Sequence, residues 1–371
     1  MSRPRRRLVL AAACLSAGLL VSLSGSPIAS AEANVYKTPG RADGATPPIV
    51  LAKAWLVADA DTGEVLAAKN EHERLRPAST LKTLTAVTLL PQLNKDDVYK
   101  VSWNDAATVG SAVGIVPGAT YTIDQLFYGM LLPSGNDAAS ALASAAGGRH
   151  KTVAMMNDEA ARLGADDTTA VNPTGLDANG QYTSAFDLAV FGRAGLQRED
   201  FCHYVGTTDT SFPAEMPKKG KKRKSFMIYN QNPLLMDGYR GTLGVKTGYT
   251  TLAGATYVGA VERGGHTYIV TLMGLAEPTE GAAERLFNWT FQNADQLKPL
   301  DNLLPMAREP KSAMTPAAAG APATPPAEQT SEGLSSIWAA LALLTILGIA
   351  AVLLISRRSN RQKRPSLPRI R

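Results

Sequence analysis

Two cysteines and four histidines are all that the 371 residues hold of the commonest metal-binding and redox side chains. Cys14 falls in an N-terminal apolar run expected to be removed, so Cys202 alone remains and no intrachain disulfide can form. The histidines are scattered without metal-ligand spacing. A Gly-x-Ser-x-Gly elbow is missing and no histidine stands out as a base, which sets aside a Ser-His-Asp hydrolase. No internal repeat is found, so solenoid and propeller architectures drop out.

What is present begins at the two ends. Arg3, Arg5, Arg6 and Arg7 precede an apolar run from Leu8 to about Leu23, and Ala29-Ser30-Ala31 is a small-x-small exit. Together they predict a cleaved signal peptide over 1–31, followed by a short linker over 32–48. At the other end, Ile337 to Ile355 carries no charge and is long enough to cross a hydrocarbon core, so a membrane helix is expected over 336–356. A basic tail over 357–371 follows, with Arg357, Arg358, Arg361, Lys363 and Arg364. Basic flanks mark the cytoplasmic side, which places the main domain outside the cell membrane, the orientation the leader also requires. Residues 297–335, rich in Ala, Pro and Thr from Glu309 onward, bury too little apolar surface to fold and read as a spacer.

The folded part is therefore expected over 49–296, a size suited to one domain. Much of the net charge of +6 sits in the two ends, so it gives no reason to expect a nucleic-acid partner. One basic cluster lies in the domain: Lys218, Lys219, Lys221, Lys222, Arg223 and Lys224. It reads as a solvated loop, the other reading being weak docking to anionic polymer or lipid headgroups. Ala52 to Ala58 and Glu64 to Lys69 predict two strands joined by the turn Asp61-Thr62-Gly63. Pro77 opens a helix to about Leu90. Helices are expected over Ile123 to Leu132, Asn136 to Ala146 and Val153 to Leu163. Strands return at Leu243 to Lys246, Ala253 to Val261 and His266 to Met273, the last two joined through Arg263-Gly264-Gly265, before a closing helix from Gly281 to Phe291. Strands at both ends with helices between give an α+β class: an antiparallel sheet packed by helices.

Three short motifs carry candidate chemistry. Ser79-Thr80-Leu81-Lys82 places a hydroxyl and an amine three residues apart, on one helix face. A serine is a poor nucleophile without a base, and a lysine whose pKa is lowered by burial or a nearby cation can supply one. Ser134-Gly135-Asn136 follows Pro133 between two helices. From such a loop Ser134 can relay a proton to a leaving amine, while Asn136 holds a substrate amide and the Lys82 amine. Lys246-Thr247-Gly248 ends a strand. Gly248 leaves room for a peptide along that strand, Lys246 and Thr247 offer a charge and a hydroxyl to a terminal carboxylate, and the Lys246 charge can depress the pKa of Lys82. Each motif alone has a plainer reading: a capped helix start, a turn, a strand end with a surface lysine. The three together, in this order and in these settings, recur in class A β-lactamases and penicillin-binding proteins.

At this level the chain resembles the D-alanyl-D-alanine carboxypeptidases among the low-molecular-mass penicillin-binding proteins, from about Ala52 to Phe291. The resemblance extends to Asp61-Thr62-Gly63-Glu64-Val65-Leu66, Arg76-Pro77-Ala78 before the nucleophile, Asp137-Ala138-Ala139 after the second motif, Asn172-Pro173-Thr174-Gly175-Leu176, Asn230-Gln231-Asn232, and Gly244-Val245 with Tyr249-Thr250 around the third. It implies a β-lactamase/transpeptidase-like fold with a helical subdomain. Ser79 would be the acyl-ester nucleophile, Lys82 its proton acceptor and Ser134 an aid to proton transfer. Asn136, Lys246, Thr247 and Gly248 would bind substrate, and the backbone N–H groups of Ser79 and Tyr249 would form the oxyanion hole. The implied substrate is a peptidoglycan stem peptide ending in D-Ala-D-Ala, with penicillins acylating Ser79 and leaving slowly, and with no metal or organic cofactor needed. Two features depart from the family. Its carboxylate-binding arginine near the start of the closing helix has no equivalent in Pro278-Thr279-Glu280-Gly281, Arg285 lying further along. Leu297 to Arg308 is too short for the second, β-rich domain of many relatives. Other readings on the same fold are a D,D-endopeptidase or transpeptidase, a β-lactamase, for which no Glu-x-x-x-Asn segment is found, and a non-catalytic wall-binding protein.

Overall fold

The computed structural model describes residues 45–303. The expected leader, membrane helix and basic tail, and most of both linkers, lie outside the described residues. Among the described residues no helix is long and apolar enough to cross a membrane.

β1 (Ala54–Asp59) and β2 (Glu64–Lys69) form the expected hairpin. Its turn closes because Asp59 Oδ1 accepts from the amides of Asp61 and Thr62, at 2.9 and 2.8 Å. The expected helix after Pro77 is two pieces, a 3-10 turn at Ala78–Leu81 and then α1 (Lys82–Leu89). The entry is abrupt because the Pro77 carbonyl is held by the hydroxyls of both Thr80 and Thr256. β3 (Val98–Lys100), α2 (Trp103–Ala106) and β4 (Thr120–Thr122) lead into α3 (Ile123–Leu131). α3 opens on a reciprocal capping box: Thr122 Oγ1 accepts from the Gln125 amide, and Gln125 Oε1 from the Thr122 amide. α4 (Asn136–Ala145) and α5 (Arg149–Arg162) match the expected pair.

α6 (Ala185–Leu196), α7 (Glu199–Gly206) and the hairpin of β5 (Asp209–Pro213) and β6 (Ser225–Tyr229) were not signalled by periodicity. The basic cluster is the tip of that hairpin, and its lysines are exposed as expected. Arg223 is not: it lies over the Tyr121 ring at 4.5 Å and donates to the carbonyls of Ala214 and Thr120. The short α8 (Pro233–Met236) precedes β7 (Thr242–Thr250), β8 (Gly254–Arg263) and β9 (His266–Leu275). Gly264 and Gly265, both at positive φ, make the tight turn from β8 to β9. After α9 (Thr279–Asn293) the chain adds β10 (Asp301–Asn302) beside β2, and Leu303 is buried. The fold thus takes in 297–303, residues expected in the spacer.

Six of the described strands form one antiparallel sheet in the order β10-β2-β1-β9-β8-β7, while β3 pairs with β4 and β5 with β6 in two small separate sheets. β1 is wholly buried, and its alternation explains the layers. Ala54, Leu56 and Ala58 enter a core shared with Leu81, Leu84, Leu188 and Phe191, on the side of α1 and α6. Trp55 and Val57 enter the opposite core, with Leu286 and Phe287 of α9. The helical subdomain of α2 to α5 extends the first layer, and β7 is the free edge beside the 3-10 turn.

Gly175 fixes how closely the loop after α5 can press on that turn. It sits at φ +83, and a Cβ there would fall 1.8 Å from the Ala78 carbonyl oxygen. Gly175→Ala is expected to cost about 2–4 kcal/mol through strain and displacement. A melting temperature lowered by roughly 5–15 °C, measured by calorimetry, is the matching outcome. An unchanged value would show that the loop yields freely.

Candidate active site

All three motifs converge at the junction of α1, the α3–α4 loop and β7. Ser79 is in the 3-10 turn, half-buried, and Lys82 is fully buried one turn on. Lys82 Nζ lies 2.9 Å from Ser79 Oγ, 2.7 Å from Asn136 Oδ1 and 2.8 Å from the Thr174 carbonyl oxygen. A neutral amine has two N–H groups and one lone pair. The two carbonyl-type oxygens can only accept, so they take the two N–H groups, and the lone pair is left facing the Ser79 hydroxyl. Burial, first, and then the Lys246 charge hold the Lys82 pKa well below its ordinary value, against an opposing pull from Asp137.

Each partner is itself held in place. Asn136 Nδ2 donates to the Val109 carbonyl at 2.8 Å, which fixes which end of the amide faces Lys82. Asp137 accepts four backbone amides, from Val113, Gly114, Ile115 and Ala138, and so ties the 113–115 loop to the start of α4. Asn172 Oδ1 accepts from the amides of Thr174 and Gly175 and from the Thr174 hydroxyl, an Asx turn that aims the Thr174 carbonyl at Lys82. The sequence marked Asn172 to Gly175 by resemblance alone; the Asn-x-Thr-Gly turn chemistry was the available physical signal. Nothing in the sequence pointed to Thr256.

Ser134 is buried at φ +64, and its Oγ has no hydrogen-bond partner among the described residues. A buried hydroxyl without a partner is costly, and it is free to take and pass on a proton. Lys246 is also buried. Its ammonium makes a single hydrogen bond, to the Thr247 carbonyl at 2.9 Å, and burial lowers its pKa to about 7. At Gly248 a Cβ would meet Thr256 Oγ1 at 2.5 Å and the amides of Ser79 and Thr80 at 2.6 and 2.9 Å. The space a side chain would take at Gly248 is occupied by the turn that carries Ser79. That closeness brings the Ser79 amide beside the edge strand at the residue before Tyr249. Thr247 is partly exposed, and the Tyr249 side chain points largely to solvent. Arg285 is tied to Glu277 at 2.6 Å and to the Ile49 carbonyl at 3.3 Å, on the helix packed against the far face of the sheet.

Similarity to known proteins points to one family. A family model described as D-alanyl-D-alanine carboxypeptidase matches residues 41–277. A D-alanyl-D-alanine carboxypeptidase of Mycobacterium tuberculosis is 40% identical over 247 residues, 65% of this chain and 82% of the relative. One from Bacillus subtilis is 34% identical over 239 residues, 63% of this chain and 60% of the relative. Among solved structures, a Mycobacterium tuberculosis D-alanyl-D-alanine carboxypeptidase superposes with a TM-score of 0.66 at 37% identity, covering 71% of this chain and 99% of that one. A Streptomyces DD-transpeptidase superposes with a TM-score of 0.62 at 29% identity, covering 67% and 99%.

The two buried lysines make a sign-definite prediction. Lys82 must be neutral to accept a proton, so reaction at Ser79 switches on as pH rises through the Lys82 pKa. Lys246→Gln removes the nearby positive charge and lets that pKa rise, so the acid limb of the pH profile moves to higher pH. Acylation by a β-lactam probe, followed from about pH 5 to 10 in both proteins, reads the shift apart from any loss of affinity. An acid limb that stays in place would rule out electrostatic coupling between the two amines.

Proposed function

The chain belongs to the D-alanyl-D-alanine carboxypeptidase family of serine peptidases, and on that premise we propose that it removes the terminal D-alanine of peptidoglycan stem peptides through an acyl-enzyme on Ser79. The observation that carries the assignment is the buried Lys82 amine, its Nζ 2.9 Å from Ser79 Oγ and within hydrogen-bond distance of two carbonyl-type acceptors, Asn136 Oδ1 and the Thr174 carbonyl.

The peptide lies along the edge strand β7, its terminal carboxylate at Lys246 and Thr247. Ser79 Oγ attacks the carbonyl carbon of the penultimate D-alanine as its proton passes to Lys82 Nζ. The amides of Ser79 and Tyr249 hold the oxyanion, where charge develops. Ser134 carries a proton to the amine of the leaving D-alanine, the C–N bond breaks and the free amino acid departs. Water then attacks the ester, giving up a proton to the Lys82 and Ser134 pair, and Ser79 Oγ leaves protonated. A penicillin opens its ring on Ser79 by the first half of this sequence and stalls there.

Location forms part of the same proposal. The leader over 1–31, the apolar 336–356 segment and the basic tail would hold the domain on the wall side of the cell membrane by one C-terminal helix. The spacer between domain and helix would give it reach into the wall. A transpeptidase differs only in the acceptor of the acyl group, and the Streptomyces neighbour bears that name.

Ser79→Ala deletes one hydroxyl and is expected to abolish the penicillin adduct, seen by mass spectrometry of the intact protein. It should also lower D-alanine release from a D-Ala-D-Ala peptide by more than about a thousandfold, with the fold unchanged. A wild-type adduct without D-alanine release would move the assignment to acyl transfer onto another acceptor. An adduct that persists in the variant would remove Ser79 as nucleophile.

A further inference from the structure

The hairpin of β5 and β6 takes no part in the reaction above, yet its tip is held in a definite shape. Lys218, Lys219, Lys221, Lys222 and Lys224 are exposed there, and none has a carboxylate within ion-pair distance among the described residues. Glu215 is the one acidic side chain between the two strands. The lysines do not sit on a loose loop. The Lys221 amide donates to the Lys218 carbonyl at 3.0 Å around Gly220, which is at φ +81, and the Ala214 amide donates to the Lys224 carbonyl at 2.9 Å. Arg223 then pins the tip to β4, through the Tyr121 ring and the Thr120 carbonyl.

Apolar side chains are set among these charges. Met216, Phe226 and Met227 are 51, 40 and 45% exposed. Successive residues of a strand point to opposite faces, so Phe226 and Met227 make both faces of the hairpin apolar near its tip. A protein partner covers one face, whereas a bilayer interface surrounds an inserted tip on every side. An anionic wall polymer answers the lysines but leaves three apolar side chains in water. Anionic lipid answers both: the headgroup phosphates take the ammonium groups and the acyl boundary takes the apolar ones. Each lysine close to such a surface raises partition onto it by about fivefold. We propose that the hairpin tip, residues 214–227, docks on an anionic lipid surface, its five lysines on the headgroups and Met216, Phe226 and Met227 in the acyl boundary. The inference deepens the location proposed above, in which the expected spacer alone would leave the distance between domain and bilayer open. It does not depend on the carboxypeptidase reading.

The test follows amide hydrogen exchange by mass spectrometry, from milliseconds upward, on the full chain in nanodiscs of phosphatidylcholine with or without anionic phosphatidylglycerol. Exchange over 214–227 is expected to slow by about fivefold or more in the anionic discs, and to recover most of the zwitterionic rate in high salt, which screens the attraction. Lys218→Gln, Lys219→Gln, Lys221→Gln, Lys222→Gln and Lys224→Gln combined should abolish the protection while penicillin acylation keeps its wild-type rate. Phe226→Ser with Met227→Ser should weaken the protection by about threefold with every lysine in place. Equal exchange in the two kinds of disc overturns the docking. Protection that the serine variant keeps in full overturns the insertion of the tip. Protection raised by a soluble polyphosphate but not by phosphatidylglycerol assigns the tip to an anionic polymer and overturns the lipid. Loss of the chain from the phosphatidylcholine discs would overturn the membrane helix instead, the hairpin then being judged by its protection in anionic discs against free chain.

Discussion

Everything at this site depends on one buried amine. Lys82 has no exposure to solvent and no carboxylate among its hydrogen-bond partners, a setting in which a full charge is expensive. Its three contacts come from its own turn, from α4 and from the loop after α5. Remove the amine and the Asn136 and Thr174 oxygens lose a donor at once, so the proposed proton acceptor is also the group that joins three distant segments. The arrangement selects the neutral form by burial and then uses the lone pair that neutrality exposes.

The backbone bears a cost to bring these groups together. Among the described non-glycine residues only four have positive φ, and three of them lie at the motifs: Ala78 at +48 before Ser79, Ser134 at +64, and Val245 at +101 before Lys246. Such conformations cost of order 1–3 kcal/mol each and persist only where the surroundings leave no alternative. Those surroundings are visible. Gly175 lets the loop press on Ala78, Gly244 sits where a Cβ would fall 2.1 Å from the Val205 carbonyl oxygen, and Gly135 packs against the Gly129 carbonyl. The two-layer core around β1 supplies the stability that holds these bends.

How much of this the sequence disclosed follows from the range of each constraint. The strands β1, β2, β8 and β9 show themselves because both faces or one face are apolar and tight turns bound them. The motif residues show themselves because each combines a rare pairing of side chains with a local break in structure. The division of the Pro77 helix was not legible, because the hydroxyl that anchors it belongs to Thr256, far along the chain. The same holds for Gly248: within its strand it reads as room for a ligand, and only the fold reveals that the turn carrying Ser79 occupies the space a side chain would take. β5 and β6 were hidden by the lysines between them, and β10 is too short to carry a period.

In the proposed mechanism the pair of lysines couples binding to chemistry. Burial alone leaves Lys246 near its midpoint at neutral pH, with a pKa of about 7. A substrate carboxylate placed beside it favours the ammonium, so arrival of the correct ligand fixes the charge there. That fixed charge acts on Lys82 and lowers its affinity for a proton further. The proposed base would thus be sharpened by the group proposed to bind the substrate carboxylate. A ligand without a terminal carboxylate leaves Lys246 partly neutral and Lys82 a less fully deprotonated base. On this argument discrimination falls on the acylation rate as well as on affinity, because both states of the pair are set by one negative charge.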